Sequence, residues 1–360
     1  MLRASSPCPC HTRWASTRAW RCVWLFSFLL TLSPLCAAEE EFGVKPMDLQ
    51  PFFACVWDPI GKAGPAEKIL KEVKVKLMSW GVDFSYVIYS DEWVAIEEFK
   101  LGRCDAVNVL DFRVRPFNLF TGSISAIGAL TSYDQLGVVL NTLATEKAAP
   151  LMRVGEFEVT GFGPAGAIFL FTRDRNIIEP EDFGGKRMAV LDGIPEVEYL
   201  SKKRGISPVR SGIFDSFLKF NNGMVDLVAG PAIIYEPFEL YKGLEPNGGI
   251  FERPFLYITM QVVSRWNKLP EGVAQKGRAW SIEKYKDFVK FLSEPEERLP
   301  EKYMIQIPQR LVDFWVEDFR QSRMALAEMG VYDPRMLKLM RKVRCKADPH
   351  KAECSADAKE

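Results

Sequence analysis

Two arginines, Arg113 and Arg115, stand a few residues beyond the strand-like segment 105–110. A guanidinium carries a planar fork of N–H donors that fits a carboxylate. Their alternation turns one toward a ligand and the other toward solvent or an acidic partner, and Arg113 is the expected ligand contact. In α/β proteins, ligands bind beyond the carboxyl ends of the strands, where the next helices start. That rule adds Trp57 and Asp58 after a first strand, Trp93 near the start of a second helix, and Phe112. From the second half of the chain it adds Phe169, Asp192 and the segment 233–236, with Tyr235 and Glu236. Each has a plainer reading. Trp57, Trp93 and Phe169 also suit a core, Asp58 could cap the loop before a helix, and Tyr235 and Glu236 could be hinge contacts.

Residues that carry catalysis are scarce. Of the two histidines, His11 falls in the N-terminal leader and His350 near the end. The middle of the chain therefore has no imidazole for general acid–base or nucleophilic work. Gly161-Phe162-Gly163-Pro164-Ala165-Gly166 has the glycine spacing of a dinucleotide loop. A strand-like run follows it where that motif needs a helix, so a hinge or turn is expected instead.

Residues 1–38 read as a signal peptide. Arg3, Arg13, Arg18 and Arg21 precede any acid, and the apolar run 23–35 ends at Ala37-Ala38 before three glutamates. The run is shorter than the ~20 residues a spanning helix needs. Cleavage after Ala38 and export to the periplasm are expected. An uncleaved anchor, or a lipoprotein through Cys36, is the alternative. Loss of the leader takes 47 basic residues to 43 against 47 acidic, which leaves no basic surface for nucleic acid. The remaining ~320 residues exceed one ordinary core and suggest two lobes.

Four cysteines remain, Cys55, Cys104, Cys345 and Cys354, an even number suited to an oxidising compartment. Of three pairings, Cys55 with Cys104 and Cys345 with Cys354 are favoured, with free thiols as the alternative. No Cys/His cluster occurs, so neither metal nor cofactor is expected.

The elements that must position these residues alternate. Apolar spacing predicts strands at 51–56, 84–89 and 105–110 with helices at 66–80 and 91–101 between them. The order returns as strands at 186–191, 206–209 and 226–229 with helices at 195–204 and 213–221. Two junctions align without a gap and lie 121 residues apart: Phe99 through Gly102 and Asp105 to Val107, and Phe220 through Gly223 and Asp226 to Val228. In each, glycine ends a helix in a left-handed turn and aspartate opens a strand. The expected fold class is α/β, with two lobes on one plan. The first lobe is 39–160, completed by part of 250–330, and the second is 161–249. Crossover strands and C-terminal helices fill 250–345, and 346–360 is a loose tail. Leu311, Phe314, Trp315, Phe319, Leu326 and Met329 share one face of a long helix, which should brace both lobes.

Residues 176–190, with Pro180-Glu181-Asp182-Phe183 and Lys186, resemble the second lobe of TRAP-transporter solute receptors, as do 214–231 and 251–270. The stretch from Arg113 to Ile124, with Pro116-Phe117-Asn118 and Thr121-Gly122, more closely resembles the AdeT-type solute-binding proteins associated with RND exporters. The resemblance covers roughly residues 50–330. It implies a two-lobed type II periplasmic binding protein-like fold and a monomer that serves a TRAP-like or RND-type membrane transporter. It also exposes departures. Where the family holds a solute carboxylate with arginine, this chain has Ala189, with Arg187 nearby. A second family arginine falls near Ile168, and a polar position falls at Gly230. A largely apolar ligand, lipid or terpenoid in kind, is therefore expected. The rivals are a non-catalytic adaptor of an exporter, or an enzyme using Asp58 or Glu236.

Overall fold

The structure, a computed structural model, describes residues 48–355 and residue 360; the expected leader and its cleavage site lie outside them. The strands are β1 (Gln50–Trp57), β2 (Val82–Tyr89), β3 (Ala106–Leu110), β4 (Arg153–Val154), β5 (Phe157–Thr172) and β6 (Arg187–Leu191). They continue with β7 (Ser207–Ser211), β8 (Leu227–Pro231), β9 (Gly249–Phe251), β10 (Leu256–Arg265) and β11 (Met304–Ile305). All belong to one sheet whose main path runs β2-β1-β3-β10-β5-β8-β6-β7. Parallel blocks stand at both ends, β2-β1-β3 and β8-β6-β7, and the antiparallel pair β10 and β5 joins them. This is a two-lobed α/β fold.

β1 shows why its strand is almost continuously apolar. Phe52, Ala54 and Val56 pack on one side with Leu70 of the helix Ala66–Met78, while Cys55 and Trp57 enter the main core on the other. A strand in a parallel block has helices over both faces and no wet side.

The repeated junctions keep one hydrogen-bond pattern. Asp105 N donates to Phe53 O at 2.7 Å, and the Asp105 carboxylate accepts from Phe53 N at 3.0 Å. Asp226 N donates to Arg187 O at 2.8 Å, and its carboxylate accepts from Arg187 N at 2.8 Å. The preceding glycines, Gly102 and Gly223, have φ of 74° and 70°.

β5 carries the link between lobes. It pairs with β10 as far as Ile168 and with β8 from Ile168 to Thr172. The glycines at 161–166 lie within this strand, so the expected turn there is corrected to extended chain at the crossing. Gly166 has φ 139°, and a Cβ added to it would sit 2.7 Å from Pro231 Cβ. Only glycine accepts both that conformation and that approach.

The long helix is Gln309–Glu328. It contacts the second lobe through Asp318, which takes Lys203 at 2.8 Å and also Arg204, and through Trp315 edge-on to Phe183. Toward the first lobe, Phe319 packs on Gly128, and Arg323 donates to Ile127 O at 2.8 Å. The expected apolar face is only partly right: Phe314 and Met329 are exposed, while Asp318, Ser322 and Arg323 are buried. A brace that touches two lobes at separate points is held by ion pairs as much as by a stripe.

The described part of 346–360 is not loose. Arg344, buried, donates to Glu353 at 2.6 Å, to Glu360 at 2.7 Å and to Ala129 O at 2.6 Å, and Arg323 also pairs with Glu360. Buried guanidinium groups need counter-charges, and the tail supplies them. Disulfides join Cys345 to Cys354 and Cys55 to Cys104.

Candidate functional site

The carboxyl ends of β3 and β6 meet at the seam between the lobes. Asp111–Val114 is a short helical turn directly after β3, and Asp192 and Gly193 lead from β6 into the helix Pro195–Arg204. Arg113, 6% exposed, donates through Nε to Glu92 at 3.0 Å and through Nη1 to Asp192 O at 2.6 Å. Its guanidinium carbon lies 4.2 Å from the centroid of the Trp93 ring and 5.1 Å from that of Phe112. Glu92 also accepts from Leu110 N at 2.9 Å. Burial pushes the Glu92 carboxyl above its usual range, against the pull of Arg113.

Arg115 makes the second crossing. It donates to both carboxylate oxygens of Glu196, at 2.8 and 2.6 Å, and through Nε to Gly122 O at 3.0 Å. Burial opposes the charged form, yet the bonded Glu196 carboxylate holds Arg115 above the usual arginine range. The expected division between Arg113 and Arg115 thus needs correction: a helical turn starts at Asp111, and both side chains end on acids. Behind them Asp111 is fully buried, accepting from Thr259 N and Oγ1 at 2.9 Å each. Burial raises its carboxyl to about 6. Gln261 completes this polar floor, donating to Thr121 O at 2.9 Å.

The other expected positions divide. Trp93, 43% exposed, joins the Arg113 cluster and packs over Gly193, where an added Cβ would stand 3.3 Å from its ring. Trp57 is core, with its indole N–H on Ser90 O at 3.3 Å. Asp58 takes its plainer role: its oxygens accept from Ile60 N and Ala66 N, both at 2.9 Å. Phe169 and Gly230 are paired neighbours on β5 and β8, and Ala189 is buried in β6. An added Cβ at Gly230 would meet Ile234 at 2.4 Å. Tyr235 is buried, which pushes its hydroxyl up to about 12. Glu236 is exposed. The Asp192 carboxylate points to Arg210 at 3.1 Å, and only its carbonyl joins the seam. Arg187 is spent on Asp226 at 2.8 Å, at the opposite end of β6 from the seam.

Glu92, Glu196 and Tyr332 were not expected. Tyr332 is fully buried against Arg115, 5.2 Å from its guanidinium carbon to the ring centroid. Acids opening two helices, one after Asp91 and one after Pro195, are the faint local signal for Glu92 and Glu196. Among the described residues no helix is long and apolar enough to cross a membrane. No group of three or more His, Cys, Asp or Glu among them could hold a metal.

The chain resembles known proteins in sequence and in fold. The family model for solute-binding protein AdeT 1/2 matches residues 55–359. The probable solute-binding protein AdeT1 of Acinetobacter baumannii is 34% identical over 300 residues, 83% of this chain and 99% of that protein. AdeT2 of the same organism is 22% identical over 236 residues, 65% of this chain and 98% of that one. A TRAP periplasmic solute-binding protein from Rhodoferax ferrireducens, solved with malonate, superposes with TM-score 0.65 at 13% identity, covering 83% of this chain and all of that one (100%). One from Desulfovibrio salexigens, solved with orotic acid, gives 0.66 at 15% identity, covering 82% and 99%. The structural likenesses show the fold, a mixed α/β fold like that of TRAP periplasmic solute-binding proteins. The chain belongs to the AdeT 1/2 family of solute-binding proteins.

Proposed function

We propose that this protein captures a small, largely apolar solute between its lobes in the periplasm and passes it to a membrane transporter. The carrying observation is that both arginines at the seam already hold protein carboxylates, Arg113 with Glu92 and Arg115 with Glu196. The Arg115 fork is fully taken, and Arg113 is bonded through Nε and Nη1. Ala189, Ile168 and Gly230 stand where the resemblance places polar anchors, and all three are buried. The malonate and orotic acid held by the TRAP proteins are acids, so the solute class differs here. Trp93, 43% exposed, and the half-buried Phe112 beside it offer aromatic surface at the seam that a lipid or terpenoid would use. The leader, cleaved after Ala38, would deliver the chain to the periplasm.

Native mass spectrometry of protein purified from periplasm, followed by solvent extraction, tests this. A bound lipid or terpenoid is expected, and a bound organic acid would overturn the apolar class while leaving a receptor. A second reading, a solute-free adaptor of an RND-type exporter, is favoured by the protein's own ion pairs across the seam. Small-angle scattering that shows the same closed form with and without extract would support it.

A further inference from the structure

We infer that Glu196 is a specificity-determining residue: its carboxylate is a resident counter-ion that fills the Arg115 fork and keeps acidic solutes out of the seam. The inference deepens the proposed capture of an apolar solute and rests on it. Three observations carry it. First, the pairing is bidentate, with Nη1 and Nη2 of Arg115 each on one oxygen of Glu196 and Nε on a carbonyl. That is the geometry a guanidinium offers to a carboxylate solute. Second, the location is that of a ligand. Arg115 follows β3 in one lobe, and Glu196 lies in the first turn of the helix after β6 in the other. Both are the strand ends where α/β folds take ligands. Third, the pair is shielded: the Arg115 side chain is 10% exposed and that of Glu196 8%. A buried fork left without its partner strongly favours a replacement anion.

A receptor built for acids keeps such a fork empty until solute arrives. Here the second lobe brings its own carboxylate, so closure satisfies Arg115 without any solute. Truncating Glu196 should therefore convert an apolar-solute receptor into one that takes acids.

The test is calorimetric titration of D-glucuronate and of acetate into wild type, Glu196→Ala, Glu196→Gln and the double variant Arg115→Ala/Glu196→Ala. D-Glucuronate is too large for the space of the excised side chain and must extend into the seam; acetate is not. The expected result is binding of D-glucuronate to Glu196→Ala at least about tenfold tighter than to wild type, since charge-assisted hydrogen bonds are made. Glu196→Gln should show a smaller gain, and it serves alone if the alanine variant fails to fold. The double variant should lose the gain.

The inference is overturned if a folded Glu196 variant takes acetate but not D-glucuronate, which is mere filling of a hole. Equal binding of D-glucuronate by wild type, or a gain that persists without Arg115, overturns it as well. Solvent extraction of the wild type reports separately on solute capture. A wild type that carries an apolar solute beside a Glu196→Ala protein that refuses acids sinks only the role of Glu196.

Discussion

The backbone carbonyl of Asp192 accepts a 2.6 Å hydrogen bond from the Arg113 side chain, so a charged group of one lobe is tied to the main chain of the other. The same arginine neutralises Glu92, whose side chain is 4% exposed. One residue therefore couples a buried carboxylate to a contact across the seam.

Arg113→Ala should uncouple them at a high cost. It leaves Glu92 buried without its partner, a loss of about 3–5 kcal/mol, and it removes the bond to Asp192. Urea unfolding should show the full loss in Arg113→Ala and a smaller one in Arg113→Ala/Glu92→Gln, where no bare charge remains. Equal losses in the two would mean that the carboxylate plays no part. Small-angle scattering of the double variant should show a more open molecule than wild type.

Asp111 sets a dependence on pH. Its carboxyl is raised to about 6 from an ordinary 3.8, so the folded state binds the proton more tightly than the unfolded state. Its contribution to stability is fully present below the unfolded value and is lost as pH rises through the folded one. Between about pH 4 and 6 that loss is roughly 2–3 kcal/mol. Asp111→Asn should flatten the slope of unfolding free energy across this window. An unchanged slope would show that Asp111 titrates normally.

Gly166→Ala addresses the crossing of β5. The left-handed-side backbone at φ 139° and the 2.7 Å approach to Pro231 act together, and a loss of at least about 2 kcal/mol is expected. Thermal unfolding measures it, and Gly155→Ala is a useful comparison. Gly155 also has positive φ but nothing within 4 Å of an added Cβ, so its loss should be smaller.

What the sequence made legible was local. Gly102-x-x-Asp105 and Gly223-x-x-Asp226 announce their junctions because a left-handed turn and a strand-opening carboxylate are short-range chemistry, and the structure gives both aspartates the same pair of hydrogen bonds. The helix Gln309–Glu328 was visible in its spacing, although its polar brace was not. Arg115 and Glu196 stand 81 residues apart, and no periodicity predicts which distant acid meets which arginine. The tail is illegible for the same reason: Glu353 and Glu360 look like solvated charges until Arg323 and Arg344 are seen buried beside them.

β5 has one further consequence. Sixteen residues of strand, with two register shifts against β10, serve both lobes, so the halves are joined by a hydrogen-bonded ribbon. Opening the seam would wind that ribbon about its own axis, and it would behave as a torsion bar with a stiffness of its own. The residue to soften or stiffen it is Gly166, which pairs with Ile258 next to the Thr259 that holds Asp111. Under the proposed function, release of a solute would then depend on main-chain mechanics as well as on the side chains that select it.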